Sequence, residues 1–356
     1  MKKEMFVLAV LATLAACSKT EVTPVASNVN SEITFNVAPR TKALSQTQTD
    51  FDHNNVFVSY AYYLGQGKTW AANNSEAQMY IEGSTISYNG NLWKNETTSY
   101  YWPKDGGSLT FFAYSYNKKD MTVGDNSGFY CVWALGEDGQ YQGGINGHFD
   151  VATNKNVDFL VADIAADKTE NENNYAHTGV PTLFRHKLSM VNVAANLAED
   201  YANKKFILNS VKFTNLYHYA TYSQIPEMMA PGGNDFLPDQ VYAENVGFEV
   251  KSGELIAVPA KIKGGAGVED GQYIYIPQEF NDNSYIVITY TVETVVGNKV
   301  VKEECTKQVK VKDVFPKWEM GHRYTFNLTF SLNEIHWDPA VENWIDDKAG
   351  NITIDR

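Results

Sequence analysis

The sequence predicts an all-β protein folded as two β-sandwiches in tandem. Three observations lead there: many short runs in which apolar and polar residues alternate, Gly-, Asn- and Asp-rich clusters between them, and an aromatic content of 13% that includes 22 Tyr. Apolar side chains at every second position fall on one face of a strand. Aromatic and β-branched residues suit a pleated, half-buried surface, and repeated short strands with turn signals make a sandwich or barrel.

The chain opens with Lys2 and Lys3, an apolar stretch from Met5 to Leu14, and the small residues Ala15-Ala16 before Cys17. This is the layout of a secretory signal peptide. The apolar stretch is shorter than the ~20 residues a helix needs to cross a bilayer. Leu14-Ala15-Ala16-Cys17 looks like a bacterial lipobox, in which the Cys17 thiol is alkylated with diacylglycerol and becomes the new N-terminus; the alternative is an ordinary signal peptide with an idle cysteine. Each buried acyl methylene adds about 0.8 kcal/mol of membrane affinity. Residues 18–31 are polar and aperiodic, as in a tether. Ile33-Thr34-Phe35-Asn36-Val37 is the first alternating run, and Pro39 stops it.

Alternation recurs in Val56–Tyr62, Leu109–Tyr114 and Val157–Val161, separated by turns such as Asp105-Gly106-Gly107 and Gly136-Glu137-Asp138-Gly139. Asp167–His177 has the composition of a loop. A domain boundary at residue 178 is therefore expected, giving sandwiches over 32–178 and 179–356, in keeping with about 150 residues per domain. Later runs are Phe206–Phe213, Tyr285–Val292 and Tyr324–Phe330. Val295–Val301 reads as a hairpin turning at Gly297-Asn298. Met190–Ala202 is the best helical candidate, but its Val-rich start favours a strand. No short-period repeat suggests a solenoid or propeller.

The residues offer little chemistry. A net charge of −13 argues against nucleic acid, whose affinity comes from Lys and Arg on phosphates. With Cys17 acylated, Cys131 and Cys305 remain, a candidate pair far apart in sequence; neither lies in a CxxC or near clustered histidines, which speaks against zinc and thiol-redox chemistry. His53, His148, His177, His186, His218, His322 and His336 include no pair three or four apart. Asp346-Asp347 is the most conspicuous carboxylate doublet, but adjacent strand positions face opposite ways, so a glycosidase pair is not expected there. Asp120–Asn126 is rich enough in Asp and Asn to offer oxygens to calcium but lacks EF-hand spacing. There is no GxSxG, HExxH or phosphate-binding loop. No catalytic residue, metal or cofactor is expected. Trp70, Trp93, Trp102 and Trp133 are either core aromatics or sugar-stacking platforms. The second option defines an alternative, a monomeric glycan-binding surface lipoprotein.

Several segments together resemble the fimbrillin family, lipoprotein precursors that polymerise into type V pili in gut and oral anaerobes. They are the lipobox at Cys17; the first strand followed by Pro39-Arg40-Thr41-Lys42-Ala43; Tyr101-Trp102-Pro103 leading into Leu109–Tyr114; Val157–Ala162 followed by Leu183-Phe184-Arg185-His186-Lys187-Leu188-Ser189; and Trp318-Glu319-Met320-Gly321-His322-Arg323-Tyr324 with Ile335, Val341 and Trp344. Each also has a structural account: Gly321 permits a tight turn, Trp318 and Trp344 can plug sandwich ends, and His186 reads as a satisfied core group.

The resemblance implies two transthyretin-like Greek-key sandwiches and assembly by strand exchange. In that scheme the first strand (Ile33, Phe35, Val37) fills its own sandwich until a trypsin-like protease cuts after Arg40, or secondarily Lys42. The strand leaves with the lipid anchor, and another subunit's C-terminal strand, here Val341, Trp344, Ile352 and Ile354, augments the vacated edge. The implied partners are other fimbrial subunits, the outer membrane through the anchor, the protease, and a host or glycan ligand. The implied location is the outer membrane before maturation and the surface fimbrium after it.

Overall fold

The computed structural model describes residues 31–37, 51–116, 130–135, 141–151, 157–224, 235–238, 242–243, 253–255, 272–332 and 335–343. Up to the junction these form β1 (Phe35–Val37), β2 (Phe57–Leu64), β3 (Gln78–Tyr88), β4 (Trp93–Lys94), β5 (Ser108–Ser115), β6 (Tyr130–Leu135), β7 (Tyr141–Asp150), β8 (Leu160–Ala162), β9 (Ala165–Lys168), β10 (Val180–Thr182) and β11 (Phe184–His186). Nine of them make one sheet, ordered β10-β1-β4-β3-β2-β5-β8-β11 with β9 pairing β5. The two ends of that path, β10 and β11, are separated only by Leu183. Side chains from along the whole sheet, from Val180 and Phe35 to Phe184, share one core.

The remaining strands are β12 (Ser189–Leu197), β13 (Lys204–Thr214), β14 (Leu216–Tyr217), β15 (Tyr219–Ser223), β16 (Asp235–Pro238), β17 (Tyr242–Ala243), β18 (Gly253–Leu255), β19 (Gln272–Tyr275), β20 (Gln278–Glu279), β21 (Tyr285–Val296), β22 (Lys299–Lys310), β23 (Lys317–Trp318), β24 (His322–Phe330) and β25 (Ile335–Asn343). Two four-stranded sheets, β19-β12-β24-β25 and β18-β13-β21-β22, face each other. Phe213 meets Phe326 at 5.2 Å between ring centroids, and Tyr290 meets Phe330 at 5.1 Å, so aromatics of opposite sheets interlock. Trp318 packs among Phe213, Tyr275 and Phe280 as the end plug its position suggests. Met190–Ala202 begins as strand β12, as its valines favour.

Two expectations need correction. Val56–Tyr62 and Leu109–Tyr114 were expected to be half-buried, yet β2 and β5 are buried on both faces. Phe57, Ala61, Leu109, Phe111 and Ala113 enter the inner core, while Val58, Tyr60, Tyr62, Phe112 and Tyr114 enter a second core. The cause is a further sheet, β16-β15-β7-β6, laid over them. Phe149 of β7 stacks on Tyr116 at 6.0 Å, and Tyr222 of β15 meets Phe159 edge-on at 5.3 Å.

The second concerns residue 178. β10 and β11 lie beyond it but pair with β1 and β8, and β15 returns to pair with β7 from Tyr219↔Asp150 to Ser223↔Asn146. The loop composition of Asp167–His177 marks two short helical turns within the first sheet's chain path, and that sheet extends to His186. Cys131 is a buried free thiol and Cys305 a half-buried one, so the candidate pair is not joined.

At the junction, charges are buried beside β8 and β11. Arg185, 1% exposed, donates through Nε and Nη2 to both oxygens of Asp163 at 2.6 and 2.7 Å. His186 is a core group, and its Nδ1 lies 2.9 Å from Asp158 Oδ2. Lys187 is 2% exposed, and burial, partly opposed by Asp163, lowers its amine to about 7. Folding thus favours the neutral amine. Between about pH 7 and the usual ~10.4, the unfolded chain binds a proton that the folded chain does not, so stability from this site falls as pH drops through that window and levels off below it. Lys187→Met is therefore expected to gain stability over the parent as pH falls from about 10 to about 7, with no further gain below; urea denaturation of both proteins across that range measures the difference.

Candidate functional site: the seat of the first strand

The first strand is held on both edges. On one side Ile33 N donates to Tyr100 O at 2.7 Å, Trp102 N donates to Ser31 O at 3.0 Å, and Phe35 pairs antiparallel with Trp93. On the other, β1 runs parallel to β10 with Phe35↔Val180, Asn36↔Pro181 and Val37↔Thr182, and Val180 N donates to Thr34 O at 2.8 Å. Lys94 anchors the start of the segment through Glu32 at 3.1 Å.

Alternation sets which side chains enter the core. Ile33 and Phe35 are each 3% exposed, Thr34 between them is buried as well, Val37 is half-buried, and Asn36 faces solvent. The Phe35 ring stands edge-on to Phe57 at 5.5 Å and to Phe111 at 5.7 Å, the favoured geometry for aromatic pairs. Burying Ile33 and Phe35 contributes about 3–6 kcal/mol together. Without β1, these rings and the edges of β4 and β10 would be left facing water, an apolar trough with unpaired backbone groups.

Gly179 admits the strand. It has φ +79°, and a Cβ built there would lie 2.7 Å from Phe35 C and 2.9 Å from Asn36 N, inside the backbone of β1. Sequence reasoning missed this residue and the parallel partner Val180, because nothing local distinguishes Gly179 from an ordinary turn glycine.

The other expected positions are dispersed. Val341 is 52% exposed on β25, the outer strand of its sheet, opposite Tyr324. Cys17, Arg40, Lys42, Trp344, Ile352 and Ile354 lie outside the described residues, as do Asp120–Asn126 and Asp346-Asp347. Trp70, Trp93 and Trp102 are 1–4% exposed and belong to the cores, so they offer no face to a sugar; the side chain of Trp133 is outside the described residues. Among the described residues, no three His, Cys, Asp or Glu side chains are grouped to hold a metal.

If Phe35 organises this seat, Phe35→Ala should cost about 3–5 kcal/mol, as for buried Phe elsewhere, whereas Asn36→Ala should stay within about 0.5 kcal/mol. Gly179→Ala should also destabilise the protein, by clash rather than cavity. Urea midpoints of the three variants compare them directly.

Comparison with known proteins places the chain in a family. A family model described as fimbrillin-like matches residues 41–344. The fimbrium subunit Fim1C of Phocaeicola vulgatus is 23% identical over an alignment that covers 100% of this chain and 99% of that protein. A crystal structure of a fimbrial protein from Bacteroides vulgatus superposes with a TM-score of 0.57 at 19% identity, covering 88% of this chain and 99% of the other. The chain belongs to the fimbrillin-like family.

Proposed function

We propose that this chain is a structural subunit, shaft or tip, of a type V pilus that serves adhesion at the cell surface and is assembled by strand exchange. It is exported as an outer-membrane lipoprotein acylated at Cys17, cut after Arg40 by a protease of trypsin-like specificity, and joined to another fimbrial subunit through the emptied seat. The observation that carries the reading is the seat itself: a short strand, paired on both edges, buries Ile33 and Phe35 in an aromatic trough and is followed by Pro39-Arg40. The end-to-end likeness to a named fimbrium subunit supports the same role.

The physics is β-augmentation. A strand with apolar residues at alternate positions would restore both ladders and refill the trough. Ile352-Thr353-Ile354 at the chain's end has that alternation, and Val341 and Trp344 precede it as further donor positions. The two halves act as successive sandwiches, with the division placed after His186, where the first sheet ends.

Intact mass and N-terminal sequencing of protein extracted from the cell surface, with and without trace trypsin, test this alongside electrophoresis of unboiled samples. The expected result is a mature chain starting at Thr41 together with an SDS-resistant ladder, and loss of both in an Arg40→Ala, Lys42→Ala double variant. A cut chain that stays monomeric would overturn strand exchange.

A further inference from the structure

The hairpin of β21 and β22 carries an interaction surface separate from the seat. β22 is the outer strand of the β18-β13-β21-β22 sheet, and among the described residues nothing pairs with its far side. Nine of its twelve side chains are exposed, so neither face is covered. Such an edge invites another strand unless charges guard it, and here Lys299, Lys302, Lys307 and Lys310 stand along it. Whether they guard against a copy of the same strand depends on register.

The ladder fixes which backbone groups face outward. Pairing with β21 runs unbroken from Tyr285↔Lys310 to Val296↔Lys299, around a two-residue turn in which Gly297 takes φ +61°. Hydrogen-bonded and non-bonded pairs alternate along an antiparallel ladder. Val311 N donates to Ser284 O at 2.9 Å, while Val295 N turns away from β22 to donate to Asn203 O at 2.9 Å. Both bonds set the same phase: odd-numbered residues of β22 spend their N–H and C=O groups on β21, and even-numbered residues from Val300 to Lys310 aim theirs outward.

A second β22 adding antiparallel must therefore set even residues opposite even ones. Six such registers overlap more than half of the strand. Centring on Lys302, Glu303, Glu304 or Lys307 places that residue against itself, and centring on Thr306 sets Lys302 against Lys310 twice. Centring on Cys305 pairs Val301 with Val309, Glu303 with Lys307 and Cys305 with Cys305 on one face, and Val300 with Lys310, Lys302 with Gln308 and Glu304 with Thr306 on the other. It contains no like-charge pair and two opposite-charge pairs by symmetry, the arrangement that stabilises cross-strand neighbours. It also covers Val301, 55% exposed in the single chain.

We propose that β22 pairs with β22 of a second copy of this chain, antiparallel, about a two-fold axis through Cys305. The contact is self-complementary, as a two-fold interface requires. In this register the lysine guard fails against a copy while still opposing most other edges. Cys305, an odd residue, meets its mate as a non-hydrogen-bonded pair at about 4.5 Å between Cα atoms. That lies within the span a disulfide bridges, so the free thiol reports the register.

Sedimentation of the uncut chain tests the proposal without any protease or donor strand, so its outcome is independent of strand exchange. The parent is expected to double in mass with rising concentration. Glu303→Lys sets Lys against Lys307 of the second copy, and Lys307→Glu sets Glu against Glu303; each should be monomeric, and the double reversal E303K/K307E should restore the dimer. Both side chains are exposed, so restoration also shows that the single variants fold. Added diamide should join two Cys305 thiols as one disulfide, taking up their two electrons and two protons, to give a dimer band absent in Cys305→Ser. A parent that stays monomeric, a dimer indifferent to the single reversals, or a double reversal that fails to restore it would overturn the proposal.

Discussion

Burial of β2 and β5 on both faces is the constraint on which the rest of the structure depends. A strand with solvent on one side needs a single core; these two need a layer on each side, and the chain supplies both. The nine-stranded sheet curls its own ends around the inner face, and β6, β7, β15 and β16 cover the outer one. Phe57 and Phe111, the rings that hold Phe35, belong to these strands. The seat of the first strand is thus rooted in strands packed on both faces, while the strand that fills it is three residues long and near the start of the described chain.

Much of this was legible in the sequence, for reasons that are local. Ile33, Phe35 and Val37 announce a strand with one buried face, and Pro39 its end. Gly297-Asn298 marks a hairpin because the turn needs positive φ at Gly297. What was not legible depends on distant partners. Phe111-Phe112 side by side, like Val56-Phe57-Val58, is a local hint of two-faced burial, since a clean alternation would have put a polar residue within each run. The loop composition before residue 178 says nothing about β10 and β11, which close the first sheet only because β1 and β8 wait for them. Gly179 matters through the backbone of a strand more than a hundred residues earlier, and no composition rule reaches that far. Buried tryptophans and exposed ones look alike in a sequence.

Arg185-His186-Lys187 is a run of three consecutive basic residues, and all are buried; Asp158 and Asp163 flank β8 and meet His186 and Arg185 across the pairing with β11. Buried ion pairs add little net stability, since desolvation offsets attraction, but removing one partner is costly. Their effect here is to fix register: a slip of one residue between β8 and β11 would turn each charge to the opposite face and strand it. The same register carries Phe184 into the inner core against Phe51 and Phe57, so charge pairing at the junction and aromatic packing near the seat specify one alignment.

Double-edged pairing of β1 also sets how the seat responds to tension. A strand bound along one edge and pulled from its end across the sheet peels, breaking one hydrogen bond at a time. A strand flanked by β4 on one side and β10 on the other, and pulled along its own axis, loads both ladders in shear, so their bonds share the load and must fail together while Phe35 is dragged from between two rings. Whatever strand occupies that position inherits a joint that resists axial force far better than its length of three residues suggests, and that yields most readily when its chain is drawn sideways.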